Sequence, residues 1–99
     1  MRVAVITKEP SERFYVGFKY SANDLANDAE IQDVEVSIEK VQDDETDDLI
    51  IVGAAQVNEY SVSAMIGEGH DGNEYYVNFT TTTSKGQVYQ DKVFVKVRS

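Results

Sequence analysis

The stretch Tyr75-Tyr76-Val77-Asn78-Phe79-Thr80-Thr81-Thr82-Thr83, continued through Ser84-Lys85-Gly86 into Gln87-Val88-Tyr89-Gln90-Asp91-Lys92-Val93-Phe94-Val95-Lys96-Val97, decides the fold. In an extended chain successive side chains point to opposite faces. Tyr75, Val77 and Phe79 therefore share one side of the first run, and Val93, Val95 and Val97 share one side of the second. Two such runs joined by a short polar link predict a β-hairpin with one face turned to a core. Gly86 suits a three-residue loop, because glycine takes positive φ without a Cβ clash. The four consecutive threonines are β-branched and stiff, and they fit a strand.

Working outward from the hairpin, the same two-residue period recurs. Arg2-Val3-Ala4-Val5-Ile6 reads as a first strand, followed by a polar connection, residues 7–12, that holds the only proline, Pro10. Residues 13–20 alternate, with Phe14, Val16, Phe18 and Tyr20 on one face. Residues 21–28 break the pattern, with room for a single capped turn that carries Leu25 inward. From Ile31 the period resumes: Val34, Val36, Ile38 and Lys40 on one side, Asp33, Glu35, Ser37 and Glu39 towards solvent. Val41 falls out of phase, which predicts an end or a bulge near Lys40. Leu49-Ile50-Ile51-Val52 is a short apolar strand that bends at Gly53, and Tyr60, Val62, Ala64 and Ile66 alternate with Ser61, Ser63 and an outward Met65. Six or seven strands with regular turn signals and no long helical period predict an all-β fold. Half-apolar antiparallel sheets must cover each other, so the architecture is a two-sheet sandwich formed by residues 1–99 as a single domain.

Composition narrows the functional classes. The chain has 99 residues, 18 acidic against 9 basic, a net charge of −9 and no cysteine. Disulfides, thiolate nucleophiles and zinc–thiolate sites are excluded, and a field of that sign repels phosphate backbones, so no nucleic-acid partner is expected. The apolar start is too short for a signal peptide and no run approaches a membrane span, so no membrane association is expected.

Candidate chemistry is sparse. The run Asp43, Asp44, Glu45, Asp47, Asp48 offers oxygens to a calcium ion, yet lacks the Asp-x-Asp-x-Asp-Gly spacing of a dedicated loop, and a solvated loop is the plainer reading. His70 beside Asp71 suggests a triad with Ser61, Ser63 or Ser84, but no strained elbow presents a nucleophile. Gly67-Glu68-Gly69-His70-Asp71-Gly72 matches the Gly-x-Gly-x-x-Gly string; it opens a strand instead of a helix and carries two acids, so it is not a phosphate cradle. No catalytic residue, metal or cofactor is expected. The same glycine-rich loop, and the aromatics Tyr15, Tyr76, Tyr89 and Phe94 assigned opposite the core faces, are the candidate partner surface; some of these rings enter the core instead if a bulge shifts the register.

The order of these segments is similar to that of the phage fibre–tail adaptor proteins, small virion proteins of tailed bacteriophages. The resemblance runs from Lys8 to about Val97. It begins with Lys8-Glu9-Pro10 before the strand ending at Tyr20, continues through Leu25 and Ile31, and is clearest in Ala64-Met65-Ile66-Gly67-Glu68-Gly69-His70-Asp71-Gly72-Asn73-Glu74-Tyr75-Tyr76-Val77. Thr80-Thr81-Thr82-Thr83-Ser84-Lys85-Gly86 and the closing Val93-x-Val95-x-Val97 complete it. The middle loop is more acidic than in the family, and the tryptophan that many relatives carry near the end of the first long strand is absent. The resemblance implies an immunoglobulin-like sandwich and a structural role in a phage or prophage virion, made in the bacterial host cytoplasm. It further implies contacts with tail, neck or fibre proteins and the capacity to form a homo-oligomer. A carbohydrate- or cell-surface-binding module, calcium-dependent through the acidic loop, is the alternative.

Overall fold

The computed structural model describes residues 1–21, 25, 29–42, 45–46 and 48–99. Seven strands form: β1 (Val3–Lys8), β2 (Phe14–Lys19), β3 (Ile31–Lys40), β4 (Leu49–Val57), β5 (Ser61–Glu68), β6 (Glu74–Thr83) and β7 (Val88–Val97). They make a four-stranded sheet in the order β1-β7-β6-β3 and a three-stranded sheet in the order β2-β5-β4. Lettered A to G along the chain, the sheets read A-G-F-C and B-E-D, the strand order of an immunoglobulin-like sandwich with its first strand moved beside its last.

The β6–β7 hairpin folds as its alternation predicts. Tyr75 pairs with Val95 and Val77 with Val93, and these four side chains, with Phe79 and Val97, are excluded from solvent. Gly86 lies at φ 81°, with the Gly86 N–H bonded to the Thr83 carbonyl and the Thr83 N–H to Gln87. From the opposite sheet Val16, Phe18, Val62, Ala64 and Ile66 close the core, and the Phe18 ring meets the Phe79 ring edge-on at 5.6 Å. Leu25 is buried, as expected, although the turn proposed around it lies outside the described residues.

Two features, the pairing of β1 and the position of Tyr60, differ from the sequence expectation. β1 is not antiparallel: it runs parallel to β7, because the connection after Lys8 crosses to the other sheet and leaves β1 to complete the sheet it started in. β3 ends at Lys40, as the out-of-phase Val41 predicts, and carries a further irregularity between Ile31 and Asp33. Tyr60 is exposed in the turn before β5, although its carbonyl accepts the Tyr20 N–H. The bend at Gly53 is present: φ is 77° there, and the β4–β5 register slips between Val52 and Gln56 before pairing resumes to Val57.

Polar contacts brace both ends of the sandwich. At one end Lys8 is wholly buried, and its ammonium donates to the carbonyls of Glu9, Pro10 and Glu68 at 2.8, 3.2 and 2.6 Å. Burial holds its pKa below the ordinary lysine value, opposed by the nearby Glu12 and Glu68 carboxylates. Beside it Tyr75, at the start of β6, reaches back to accept the His70 N–H at 3.1 Å. A tyrosine bonded to the backbone a few residues upstream at this corner is a hallmark of immunoglobulin-like domains.

At the other end Asp91, almost fully buried, accepts the Tyr20 hydroxyl at 2.7 Å and the Arg2 N–H at 2.8 Å, and the Tyr20 oxygen lies 3.1 Å from the Thr81 hydroxyl. The Arg2 guanidinium covers the Phe18 and Tyr20 rings at 4.9 and 4.8 Å. Burial pushes the Tyr20 phenol above its ordinary value, and the Asp91 carboxylate beside it acts in the same direction.

Two outcomes follow for stability. Tyr75→Phe keeps the ring but removes the acceptor from the His70 N–H, which lowers stability by about 1–2 kcal/mol in urea unfolding and speeds exchange of the His70 amide. Tyr20 stays protonated in the folded chain at pH values where the unfolded chain has ionised it, so its share of stability is complete below pH of about 10 and declines above that. Tyr20→Phe therefore leaves the pH dependence of the urea midpoint unchanged up to about pH 9 and flattens its fall above about pH 10.

A candidate protein-contact surface

Each inward residue on β6 and β7 obliges its neighbours to face outward. Lys92, Phe94 and Lys96 on β7 and Glu74, Tyr76 and Asn78 on β6 thus lie on the outer face of the four-stranded sheet. Register aligns them in rows: Val5, Phe94, Tyr76 and Glu39 cross the sheet in one, and Val3, Lys92, Asn78 and Ser37 in the next. The Tyr76 and Phe94 rings are 4.9 Å apart, with Lys92 Nζ over Tyr76 at 5.1 Å and Lys96 Nζ over Phe94 at 5.9 Å. Val3 and Val5 are 57% and 62% exposed, uncommon values for valines in a strand.

The face is banded in charge. Aliphatic β1 is followed by lysines on β7, by Glu74, Tyr76 and Asn78 on β6, and by the exposed acids Asp33, Glu35 and Glu39 on β3, whose β6 partners Thr82, Thr80 and Tyr76 are uncharged. Near its centre Asn78 Oδ1 is buried with no hydrogen-bond partner among the described residues, beside a depression of about 300 Å³ lined by Met1, Glu39, Gln90 and Lys92 among others. An unmet buried acceptor costs about 1–3 kcal/mol, which a donor arriving from outside would relieve.

The candidate aromatics do not form one patch. Tyr76 and Phe94 stand together. Tyr15 is half exposed on the outer face of the three-stranded sheet, where the Gln56 side-chain amide donates to its hydroxyl at 3.3 Å. Tyr89, expected on the outer face, belongs to the inner one: it has the same parity as Val93, Val95 and Val97, packs against the core, and its ring lies 5.5 Å from Tyr20. Strict counting along β7 places it there.

The glycine-rich loop is more structured than its composition suggests. Gly67, which is buried, and Glu68 belong to β5, and Glu68 is the one described non-glycine residue at positive φ, 60°. Its carbonyl receives Lys8 and its carboxylate receives Arg13 at 2.7 Å, contacts that offset the strained backbone. Gly69 and Gly72 lie at φ 97° and 94°, and the Gly72 N–H bonds to the Val97 carbonyl. The Asp71 carboxylate accepts the Ser99 hydroxyl at 2.8 Å and the Ser99 N–H at 3.0 Å, which hold its pKa below the ordinary aspartate value. His70 remains exposed. The loop leads into β6, a strand, so its Gly-x-Gly-x-x-Gly string has no helix N-terminus behind it.

Among the described residues no cluster of three or more His, Asp or Glu side chains is placed to hold a metal ion. Asp43, Asp44 and Asp47 of the acidic run lie outside those residues. The features sequence reasoning passed over are Val3, Val5, Asn78, Lys92 and Lys96. The alternation of Val93, Val95 and Val97 was sufficient to find the two lysines; the valines needed the pairing of β1 with β7.

A family model described as Podophage GP4 fiber-tail adaptor protein gp77 matches residues 8–96 of the chain. No curated protein matches it.

Proposed function

The chain belongs to the podophage fibre-tail adaptor family, and on that premise we propose that it meets its tail or fibre neighbour through the outer face of the four-stranded sheet. The role is structural, as a component of the virion tail. The observation that carries the choice of face is the Tyr76–Phe94 pair, flanked by Lys92 and Lys96 and bordered by the exposed Val5. Paired rings are large, stiff anchors that bury much area for little lost side-chain entropy, and residues of this kind dominate interface energies. The lysines favour a neighbour with carboxylates around an apolar centre, and the unpartnered Asn78 Oδ1 offers that neighbour a buried acceptor.

An adaptor has two neighbours to hold. Tyr15, with Ile50 exposed on the same outer face of the three-stranded sheet, supplies a second surface on the opposite side of the sandwich. The loop formed by residues 67–72 adds a preformed edge, since its backbone is pinned by Tyr75, Lys8 and Val97 and little ordering entropy remains to be lost on docking. Repetition of such contacts around a tail would make a strong joint from individually weak ones.

Titration calorimetry of the purified chain against the tail and fibre proteins of the same phage tests the reading. Phe94→Ala should weaken binding to one of them by at least about tenfold, and Tyr15→Ala binding to the other, with unfolding stability changed by less than about 1 kcal/mol in each. Unchanged affinity of Phe94→Ala for every tail and fibre protein that the unaltered chain binds would remove this face from the contact.

A further inference from the structure

The sandwich has four edge strands, and three of them carry features that discourage another strand from pairing. β2 ends in the exposed Lys19, a charge on the edge. β3 is lined with Asp33, Glu35 and Glu39, and β4 is broken by the register slip at Gly53. β1 has no such guard: Val3-Ala4-Val5-Ile6-Thr7 is unbulged and uncharged, and its one charged residue, Lys8, is turned into the sandwich. The family match begins at Lys8, so this strand lies almost wholly outside the shared pattern.

The hydrogen-bonding direction of β1 is set by its two ends. The Arg2 and Lys8 carbonyls accept from Lys92 and Arg98 of the β7 side. Backbone groups alternate in direction along a strand, so Val3, Val5 and Thr7 present their N–H and C=O groups to the open edge. Among the described residues β7 is the sole strand paired with β1.

We propose that this edge pairs with the same edge of a second copy, β1 against β1, antiparallel about a two-fold axis at Val5. In that register Val5 faces Val5 of the second copy and Val3 faces Thr7, so all three open residues form hydrogen-bonded pairs. Ala4 falls opposite Ile6, small against large, on the inward side. The two four-stranded sheets become one of eight strands. The acidic margins on β3 do not oppose this arrangement: they end up at the two far rims, about 34 Å apart at one strand spacing per step, several times the roughly 8 Å over which exposed charges act at physiological salt. The β7 lysines of the two copies stand about 14 Å apart, also beyond that range. The inference is independent of which tail protein the outer face meets. Its test contains this chain alone, so its failure and the failure of the adaptor contact are read separately.

Sedimentation equilibrium of the full chain, run with amide exchange, decides it. The expected result is a reversible dimer with protected Val3, Val5 and Thr7 amides. Val5→Lys and Val5→Glu, each at an exposed position, should each weaken the dimer by at least about tenfold when alone, since like charges then meet at the axis, and an equimolar mixture should dimerise again. Val88→Lys, equally exposed on the outer face but away from the edge, should dimerise as the unaltered chain does. A monomer up to millimolar concentration, a mixture that stays monomeric, or a dimer lost equally in Val88→Lys would each overturn the proposal. Protection of the β1 amides only after a tail protein is added would overturn it too and assign the edge to that protein.

Discussion

Tyr75, Val77 and Phe79 on β6 and Val93, Val95 and Val97 on β7 form a water-free layer that the opposite sheet covers, and the remainder of the molecule is arranged around it. Burying side chains of this size is worth about 1.5–3 kcal/mol each, and the layer as a whole outweighs any single polar contact in the sandwich. Because the side-chain period is two, this burial also dictates the outside: a one-residue slip would put Lys92, Tyr76 and Phe94 into the core and the valines into water. The candidate contact face is in that sense the reverse side of the core.

The ends of the sandwich show how polar groups hold what the core cannot reach. Lys8 sits in an inward position opposite Val97, where an ammonium would be costly were it not surrounded by three backbone carbonyls. It thereby fastens β1, the connection to β2 and the end of β5 at one point, and the neighbouring Tyr75 hydroxyl holds the loop that follows β5. At the opposite end Asp91 joins the chain start to Tyr20 and β7. A face carried on strands braced at both ends is presented in a single shape, which suits a component that holds neighbours in place better than one that must adapt to them.

Much of this was legible in the residues. The inward sets on β2, β5, β6 and β7, the glycine turn at Gly86 and the bend at Gly53 all follow from alternation and from where glycine is needed. The errors are instructive. Tyr60 continues the parity of Val62 but lies in a turn, where parity ceases to apply. Tyr89 was drawn outward by its chemistry although its position in the count places it inward. The parallel pairing of β1 was out of reach, since nothing local distinguishes a strand that pairs with the next one from a strand that pairs with the last.

The amino-acid sequence by itself determined the strands, the side of each that is buried and the family to which the chain is similar, because these depend on short-range periodicity and on turn chemistry carried by adjacent residues. Tertiary structure alone decided which strands are neighbours. It set Val5 beside Phe94, Lys8 among the carbonyls of Glu9, Pro10 and Glu68, and Asn78 at a depression on the outer face. Those placements arise from contacts between residues far apart in the chain, and the backbone groups that β1 leaves open to a partner are visible only once its pairing with β7 is known.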